Sequence, residues 1–343
     1  MTRMEQNAEQ AANIATRLAG GPVLSAQLLR GGRNARVWRI ETQGVQLVLK
    51  QYPRLAGDMR DRLGAEVAAL ALMQRAGFTC VPRLVAVDRE AGCVLMSWID
   101  GVPVTDVSLS HIDAAAAFLH ALHELRGAGD IPHDRLAAEA CLSGPEIAKQ
   151  IATRRDRLRP VARDDATLGA FLAQTFDPAC ARLLAAARAN PAFEAALPHE
   201  KRTLAPADFG FHNTLRRPDG TLAFVDFEYF GWDDPVKLTS DLLLHPGTRL
   251  QCELQDRLRA ACASVYGASD DDFAARLTAF YPLFALRWTL ILLNEFLPER
   301  WQTRLAAGSC ESWPEAKARQ LAKARAMLAH VVAENTRGTV HAG

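Results

Sequence analysis

Between residues 22 and 50 the chain alternates apolar and polar positions in short runs: VLSAQLL, then GGRNA, RVWRIE, a Thr42-Gln43-Gly44 turn and VQLVLKQY. Period-two alternation bounded by Gly-containing turns predicts antiparallel strands. A hairpin turning at Gln43-Gly44 sets Val37 beside Lys50 and carries that lysine back toward the Gly31-Gly32 loop. The period then changes. Met59, Leu63, Val67, Leu70 and Met73 recur at helical spacing, which predicts a helix over about 60–75 that ends at Ala76-Gly77. Glu66 falls inside that apolar stripe, where a carboxylate needs a partner. Two more strand-like runs follow, VPRLVAVD and GCVLMSWIDG. From Ser110 the pattern is mostly helical, with start signals at Ser110-His111-Ile112-Asp113 and Ser143-Gly144-Pro145-Glu146 and long Ala/Leu-rich stretches after each. The boundary falls near residues 98–102, so the expected fold is α+β: a β-rich lobe over 1–99 and a mainly helical lobe over 100–343.

One hairpin interrupts the helical half. PADFGFHNTLRRPDGTLAFVDFE, residues 206–228, places Pro and Asp-Gly between two apolar runs, the order that closes β-hairpins. A loop centred on Asp219-Gly220 puts Asn213 opposite Asp226, with Cβ atoms roughly 4.5–5.5 Å apart on one face. A carboxylate and an amide oxygen then converge, a donor pair suited to Mg²⁺, which prefers oxygen ligands and keeps waters and phosphate oxygens in its other positions. Asp208, five residues before Asn213, is placed beside that point as a general base able to accept a proton from a hydroxyl attacking a phosphoryl group.

Composition narrows the partners. The chain has 343 residues, 49% apolar and 23% charged, with 40 basic against 39 acidic side chains and a net charge of +1. That balance lacks the basic excess of nucleic-acid binders and favours a small substrate. Seven scattered cysteines without a CxxC pair fit a reducing, cytoplasmic setting. The polar N-terminus has no secretory core. The longest apolar run, residues 281–298, is broken by Arg287 and Asn294 and reads as a buried helix, so no membrane partner is expected. No feature of the sequence specifies an oligomeric state.

Gly31-Gly32 alone matches neither GxxxxGK[ST] nor GxGxxG. Glu66 changes its weight, because Lys50 on a strand and Glu66 on the next helix satisfy each other when buried, and such a pair holds a lysine aimed at phosphates. His120 and His123 lie three apart on a helix but lack further ligands at zinc-type spacing; a buried, hydrogen-bonded histidine is the expected state. His212 is read as a polar brace of its loop, the run Asp226, Glu228, Asp233 and Asp234 as part site and part scaffold, and Asp241 as scaffold.

Together DFGFHN at 208–213, VDFE at 225–228 and GWDDPVKLTSDL at 231–242 resemble the aminoglycoside phosphotransferase and choline kinase-like superfamily, which has a bilobal protein-kinase-like fold. The resemblance implies a kinase that uses ATP and Mg²⁺ to phosphorylate a hydroxyl of a small molecule. It makes Asp208 the catalytic base, Asn213 and Asp226 the metal ligands, and Lys50 the phosphate grip with Glu66 its ion-pair partner. It also implies that GGRN at 31–34, with Gly31 and Gly32, covers the phosphates, and that the backbone of Ser97 and Ile99 in LMSWIDG meets adenine. One departure is Pro206, where the family usually has His two residues before its catalytic Asp; a nucleotide-binding regulator that has lost catalysis is the alternative. No HRD or APE segment occurs, which sets protein kinases aside. Between Glu315 and Arg337 five basic residues face two acidic ones, which favours a neutral or anionic acceptor such as a sugar over a polycation.

Overall fold

Alternating runs that bury one face each need a cover, and the first 100 residues carry one helix before the strands and one between the third and the fourth. The computed structural model describes residues 3–29, 35–53, 60–248, 250–306 and 311–340. They form two compact units: Met1–Glu139 with Thr203–Trp232 and Gly247–Leu258, and Ala140–Arg202 with Asp233–Pro246 and Arg259–Gly343.

In the first unit, strands β1 (Val23–Leu28), β2 (Arg36–Thr42), β3 (Gln46–Gln51), β4 (Leu84–Asp88) and β5 (Cys93–Ser97) make an antiparallel sheet in the order β1-β2-β3-β5-β4. The Gln43-Gly44 hairpin has the expected register, with Val37 opposite Lys50 and the Thr42 amide bonded to Val45 O at 3.1 Å. Helix α1 (Arg3–Ala19) lays Ala11 and Ala15 onto Trp38, Ile40, Leu47, Leu49, Cys93 and Leu95. Because side chains alternate along β3, the face away from Leu47 and Leu49 is the one that carries Lys50.

Helix α2 (Arg62–Arg75) starts where Asp61 accepts the Gly64 amide at 2.9 Å and ends at Gly77, whose φ of 79° needs glycine. Leu63, Glu66, Leu70 and Met73 are buried on it, as the stripe predicts; Met59 lies outside the described residues. Helix α3 (Leu109–Glu124) is capped by Ser108 rather than Ser110, because His111 completes a reciprocal box with Ser108. A three-stranded sheet joins β6 (Val102–Pro103), β7 (Thr214–Arg216) and β8 (Leu222–Phe224).

The second unit is helical: α4 (Gly144–Asp164), α5 (Asp177–Arg188), α6 (Pro235–Leu244), α7 (Phe273–Leu292) and α8 (Trp313–Val340). Ser143 caps α4 as expected, accepting the Glu146 amide. The long apolar run is α7, packed against α4, α5, α6 and α8. Phe273–Phe296 is long and apolar enough to cross a membrane, yet 72% of its most apolar 18 residues are buried inside the protein. The α+β class thus holds, with an antiparallel sheet in the N-terminal region and helices through most of the rest.

Candidate active site

All described site residues lie in the first unit. Lys50 comes from β3 and Glu66 from the second turn of α2, and their side chains are buried to 7% and 1% exposure, with Nζ 2.7 Å from Glu66 Oε2. The pair expected from the helix stripe is therefore formed. Lys50 Nζ also lies 2.7 Å from Asp226 Oδ1 and 3.2 Å from Glu228 Oε2. Burial alone would lower the lysine's pKa, but Glu66 and Asp226 outweigh it and hold the pKa well above the ordinary value, so the ammonium stays charged. Tyr52, two residues on from Lys50, donates its hydroxyl to Glu66 Oε2. Burial, and then the charge of Glu66, raise the Tyr52 pKa. The Phe227 amide donates to Glu66 Oε1 at 3.4 Å, which ties α2 to the segment after β8.

The hairpin register differs from the expected one by a residue. Thr214 faces Phe224, Leu215 faces Ala223 and Arg216 faces Leu222. The loop holds three residues, Pro218-Asp219-Gly220, closed by the Arg217 amide on Thr221 O at 2.8 Å, with Gly220 at φ 84°. A three-residue loop with glycine in the left-handed region replaces the two-residue turn, so the strands slip by one position. Asn213 consequently pairs with Val225, whose amide bonds to Asn213 O at 3.0 Å, and Asp226 lies one step beyond. Asp226 sits at φ 74°, in the left-handed region. That conformation, and the bond to Lys50, place its carboxylate instead of a ladder position.

Asp208 is reached by a second such residue, Ala207 at φ 63°. Among the described residues only Glu139 is a further non-glycine case, so two of the three flank or form the carboxylate pair. Conformations of this kind cost about 1–3 kcal/mol each and persist where packing fixes them. The Asp208 amide bonds to Pro206 O at 2.9 Å, and Asn213 Nδ2 donates to Asp208 O at 2.9 Å, so the loop closes on itself without a histidine at 206. His212 Nε2 lies 3.3 Å from Asp208 Oδ1, a direct contact with the carboxylate inside the loop. Beneath both turns, Phe209 and Phe227 pack on Phe118 of α3, with centroids 5.3 and 6.3 Å away, and Phe224 joins them at 4.5 Å.

Oxygen donors of the right kind for a hard cation are present. The Asn213 amide nitrogen is committed to Asp208 O, which leaves its oxygen as a ligand atom, and Asp226 already holds a cation, the Lys50 ammonium, on Oδ1. These two residues therefore fit Mg²⁺. Ile99 is buried, and Ser97 has its amide bonded to Arg83 O and its hydroxyl oxygen to the Arg83 amide, each at 2.9 Å. Neither bond uses the Ser97 carbonyl or the Ile99 backbone. Gly31 and Gly32 lie outside the described residues.

Four participants were not singled out by sequence: Tyr52, Arg62, Glu228 as a lysine partner, and Phe118. Tyr52 lies two positions after Lys50 at the end of β3 and Arg62 four before Glu66 on α2, spacings that share a strand or helix face, whereas Glu228 lies in a turn after β8. Phe118 gave no signal beyond an apolar helix position. His123 is the buried histidine expected, with Nδ1 3.0 Å from Thr203 Oγ1.

In the second unit another ionic group lies in the core. Lys237 stands 2.9 Å from Asp233 and 3.1 Å from Asp241, and Asp241 also meets Arg287 at 3.4 Å and the Trp288 indole at 2.7 Å. Arg276 bridges Asp234 at 2.5 Å and Asp270 at 2.7 Å. Asp234 caps α6 through the Val236 amide. Asp233, Asp234 and Asp241 are thus scaffold. Near the C-terminus Lys317 pairs with Asp165 and Arg319 with Glu311, so acids outside that segment offset part of its basic balance.

The profile of a phosphotransferase enzyme family matches residues 25–267. No curated protein sequence matches significantly. Among solved structures, choline kinase LicA from Streptococcus pneumoniae aligns over 96% of this chain and 100% of its own at 15% identity, TM-score 0.60. The spectinomycin phosphotransferase APH(9)-Ia, solved with ADP and spectinomycin, aligns over 93% and 98% at 13% identity, TM-score 0.63. Macrolide 2'-phosphotransferase MphH from Brachybacterium faecium aligns over 89% and 99% at 15% identity, TM-score 0.57. At such identities the likeness is one of fold.

Proposed function

We propose, on the premise that the chain belongs to the phosphotransferase enzyme family and shares the fold of its choline kinase and aminoglycoside phosphotransferase branches, that it transfers the γ-phosphoryl group of ATP to a hydroxyl of a small molecule. The observation that carries the reading is Lys50, held 2.7 Å from both Glu66 and Asp226 on a buried face of the sheet. A lysine so fixed cannot wander, and its ammonium is available to phosphate oxygens once Asp226 turns away. Residues 1–99 serve as the nucleotide lobe, with Gly31 and Gly32 over the phosphates and the backbone of Ser97 and Ile99 against adenine. Residues 100–343 carry the catalytic hairpin and the acceptor pocket.

Asp208 accepts the proton as the acceptor oxygen bonds to phosphorus and the bond from phosphorus to the ADP oxygen breaks. His212, in contact with Asp208, orients that carboxylate. Asn213 and Asp226 would hold Mg²⁺, which supplies charge neutralisation along the phosphates when bound. Asn213 also ties its side chain to the backbone of Asp208, so the base and the ligand move as one piece.

ADP release with Mg-ATP, screened across sugars, amino alcohols and aminoglycosides, tests the reading. Because Lys317 and Arg319 are paired, cationic acceptors belong in the screen beside the sugar-like compounds that the sequence favours. Turnover with one class identifies the acceptor. ATP binding without turnover on any hydroxyl compound points to a regulator, the reading that Pro206 favours, and no ATP binding sinks both.

A further inference from the structure

Tyr52 is used by no step of the proposed reaction, yet it touches both members of the lysine pair. It follows the last residue of β3, and its backbone is held by Gly92, whose carbonyl accepts the Tyr52 amide at 2.8 Å. Gly92 sits at φ 65°, and a Cβ there would come within 3.1 Å of Tyr52 O, so glycine lets the two segments close on each other. From that fixed backbone the buried side chain extends on the same face as Lys50. Its hydroxyl donates to Glu66 Oε2, the oxygen that also accepts Lys50 Nζ, and its ring centre lies 5.2 Å from the Lys50 ammonium. Glu66 Oε1 takes the Phe227 amide. Burial, and then the charge of Glu66, keep the hydroxyl protonated, so it donates throughout the working pH range.

Two donors on one carboxylate oxygen meet different fates when a nucleotide arrives. The ammonium of Lys50 moves on a flexible four-carbon stem and is drawn toward phosphate oxygens, which weakens its hold on Glu66. Tyr52 is a neutral donor on a rigid ring and stays. Without its hydroxyl, Glu66 would have only the Phe227 amide, at 3.4 Å, to set its direction as the lysine shifts. We propose that Tyr52 is a positioning residue for nucleotide binding: by fixing Glu66 from the strand side, it keeps the Lys50 ammonium aimed at the phosphates while the lysine exchanges partners. The role is exerted through Glu66, and it rests on the kinase reading above.

Calorimetric titration of the full chain with ADP in excess MgCl₂, and separately with adenosine, reads the aim of the lysine, because adenosine carries the base and ribose but no phosphate. Tyr52→Phe keeps the ring and removes only the hydroxyl. Its ADP affinity is expected to fall by roughly 10-fold, the scale of one hydrogen bond to a charged group, with adenosine affinity unchanged. Tyr52→Leu, which removes ring and hydroxyl together, is expected to lose at least as much and suffices if the first variant fails to fold. In a Glu66→Gln background, Tyr52→Phe should change ADP affinity little, because the carboxylate through which it acts is gone. Equal losses for ADP and adenosine would make Tyr52 a packing residue and overturn the proposal. An unchanged ADP affinity overturns it, and so does a full additional loss in the Glu66→Gln background; the kinase reading stands in all three cases. A wild-type chain that binds neither ligand overturns the kinase reading itself.

Discussion

Two buried ionic groups, one in each unit, use the same side chains and are built to opposite ends. Around Lys237, Asp233 and Asp241 meet Lys237, Asp241 also meets Arg287, and Arg276 joins Asp234 to Asp270, with each of these side chains at 7% exposure or less. Burial raises the pKa of Asp233 and Asp234, while Lys237 and Arg276 pull it down. Around Lys50, Asp226 is 35% exposed, and the backbone at Asp226 and Ala207 is in a conformation that L-residues avoid. A closed network fixes helix ends. A half-open one leaves a carboxylate that can change partners, and the contrast in exposure distinguishes scaffold from site better than the count of charged residues does.

Perturbing each group tests that contrast, and the largest effect belongs to Asp226. Asp226→Ala should abolish turnover through loss of the metal while the melting temperature stays near wild type, because Lys50 keeps Glu66 and Glu228; wild-type rates at ordinary Mg²⁺ would put Asp226 outside the metal site. Asp208→Asn should lower turnover by roughly 10²- to 10⁴-fold with nucleotide affinity nearly intact, and lost ATP affinity with unchanged turnover per bound ATP would contradict the base role. Glu66→Gln, Lys50→Met and the double variant should be strongly non-additive in turnover, since removing either partner disables the unit; small additive effects would mean that the pair is structural. Lys237→Met, in the closed group, should cost about 3–5 kcal/mol in unfolding free energy with turnover per folded molecule unchanged, and a selective loss of activity would turn that group into a second site.

The smallest effect concerns His123, a buried polar group of the first unit. Burial, and then Arg126, lower its pKa from 6.5 to about 4. The unfolded chain therefore binds the extra proton between those values and the folded chain does not, so stability should fall as pH drops from about 6.5 toward 4. His123→Gln should flatten that part of the melting-temperature profile, and an unchanged slope would assign it to other groups.

Much of this could be read from residue order. The Gln43-Gly44 hairpin fixed Lys50 opposite Val37, and the helix stripe exposed Glu66 as a misfit that only a cation resolves. The second hairpin failed on one residue. Asp-Gly suits a two-residue loop, and nothing local reveals that Pro218 joins the loop and moves Asn213 from Asp226 to Val225. The left-handed backbone at Ala207 was equally hidden, because alanine carries no signal for positive φ; packing imposes it. Tertiary neighbours far apart in sequence, such as Arg62 with Glu228 or Lys317 with Asp165, lay beyond any local pattern.

Phe118 carries a consequence of its own. Phe209, next to the proposed base, and Phe227, next to the proposed metal ligand, rest on the same ring. Residues that share a partner do not vary independently. In the vocabulary of laboratory evolution, Phe118 is a bottleneck: a substitution there shifts both turns at once, and no single compensating change restores both. Variant libraries aimed at new acceptors should leave that position fixed and spend their diversity among the helices after residue 140, where a change of shape does not reset the spacing between proton acceptor and metal.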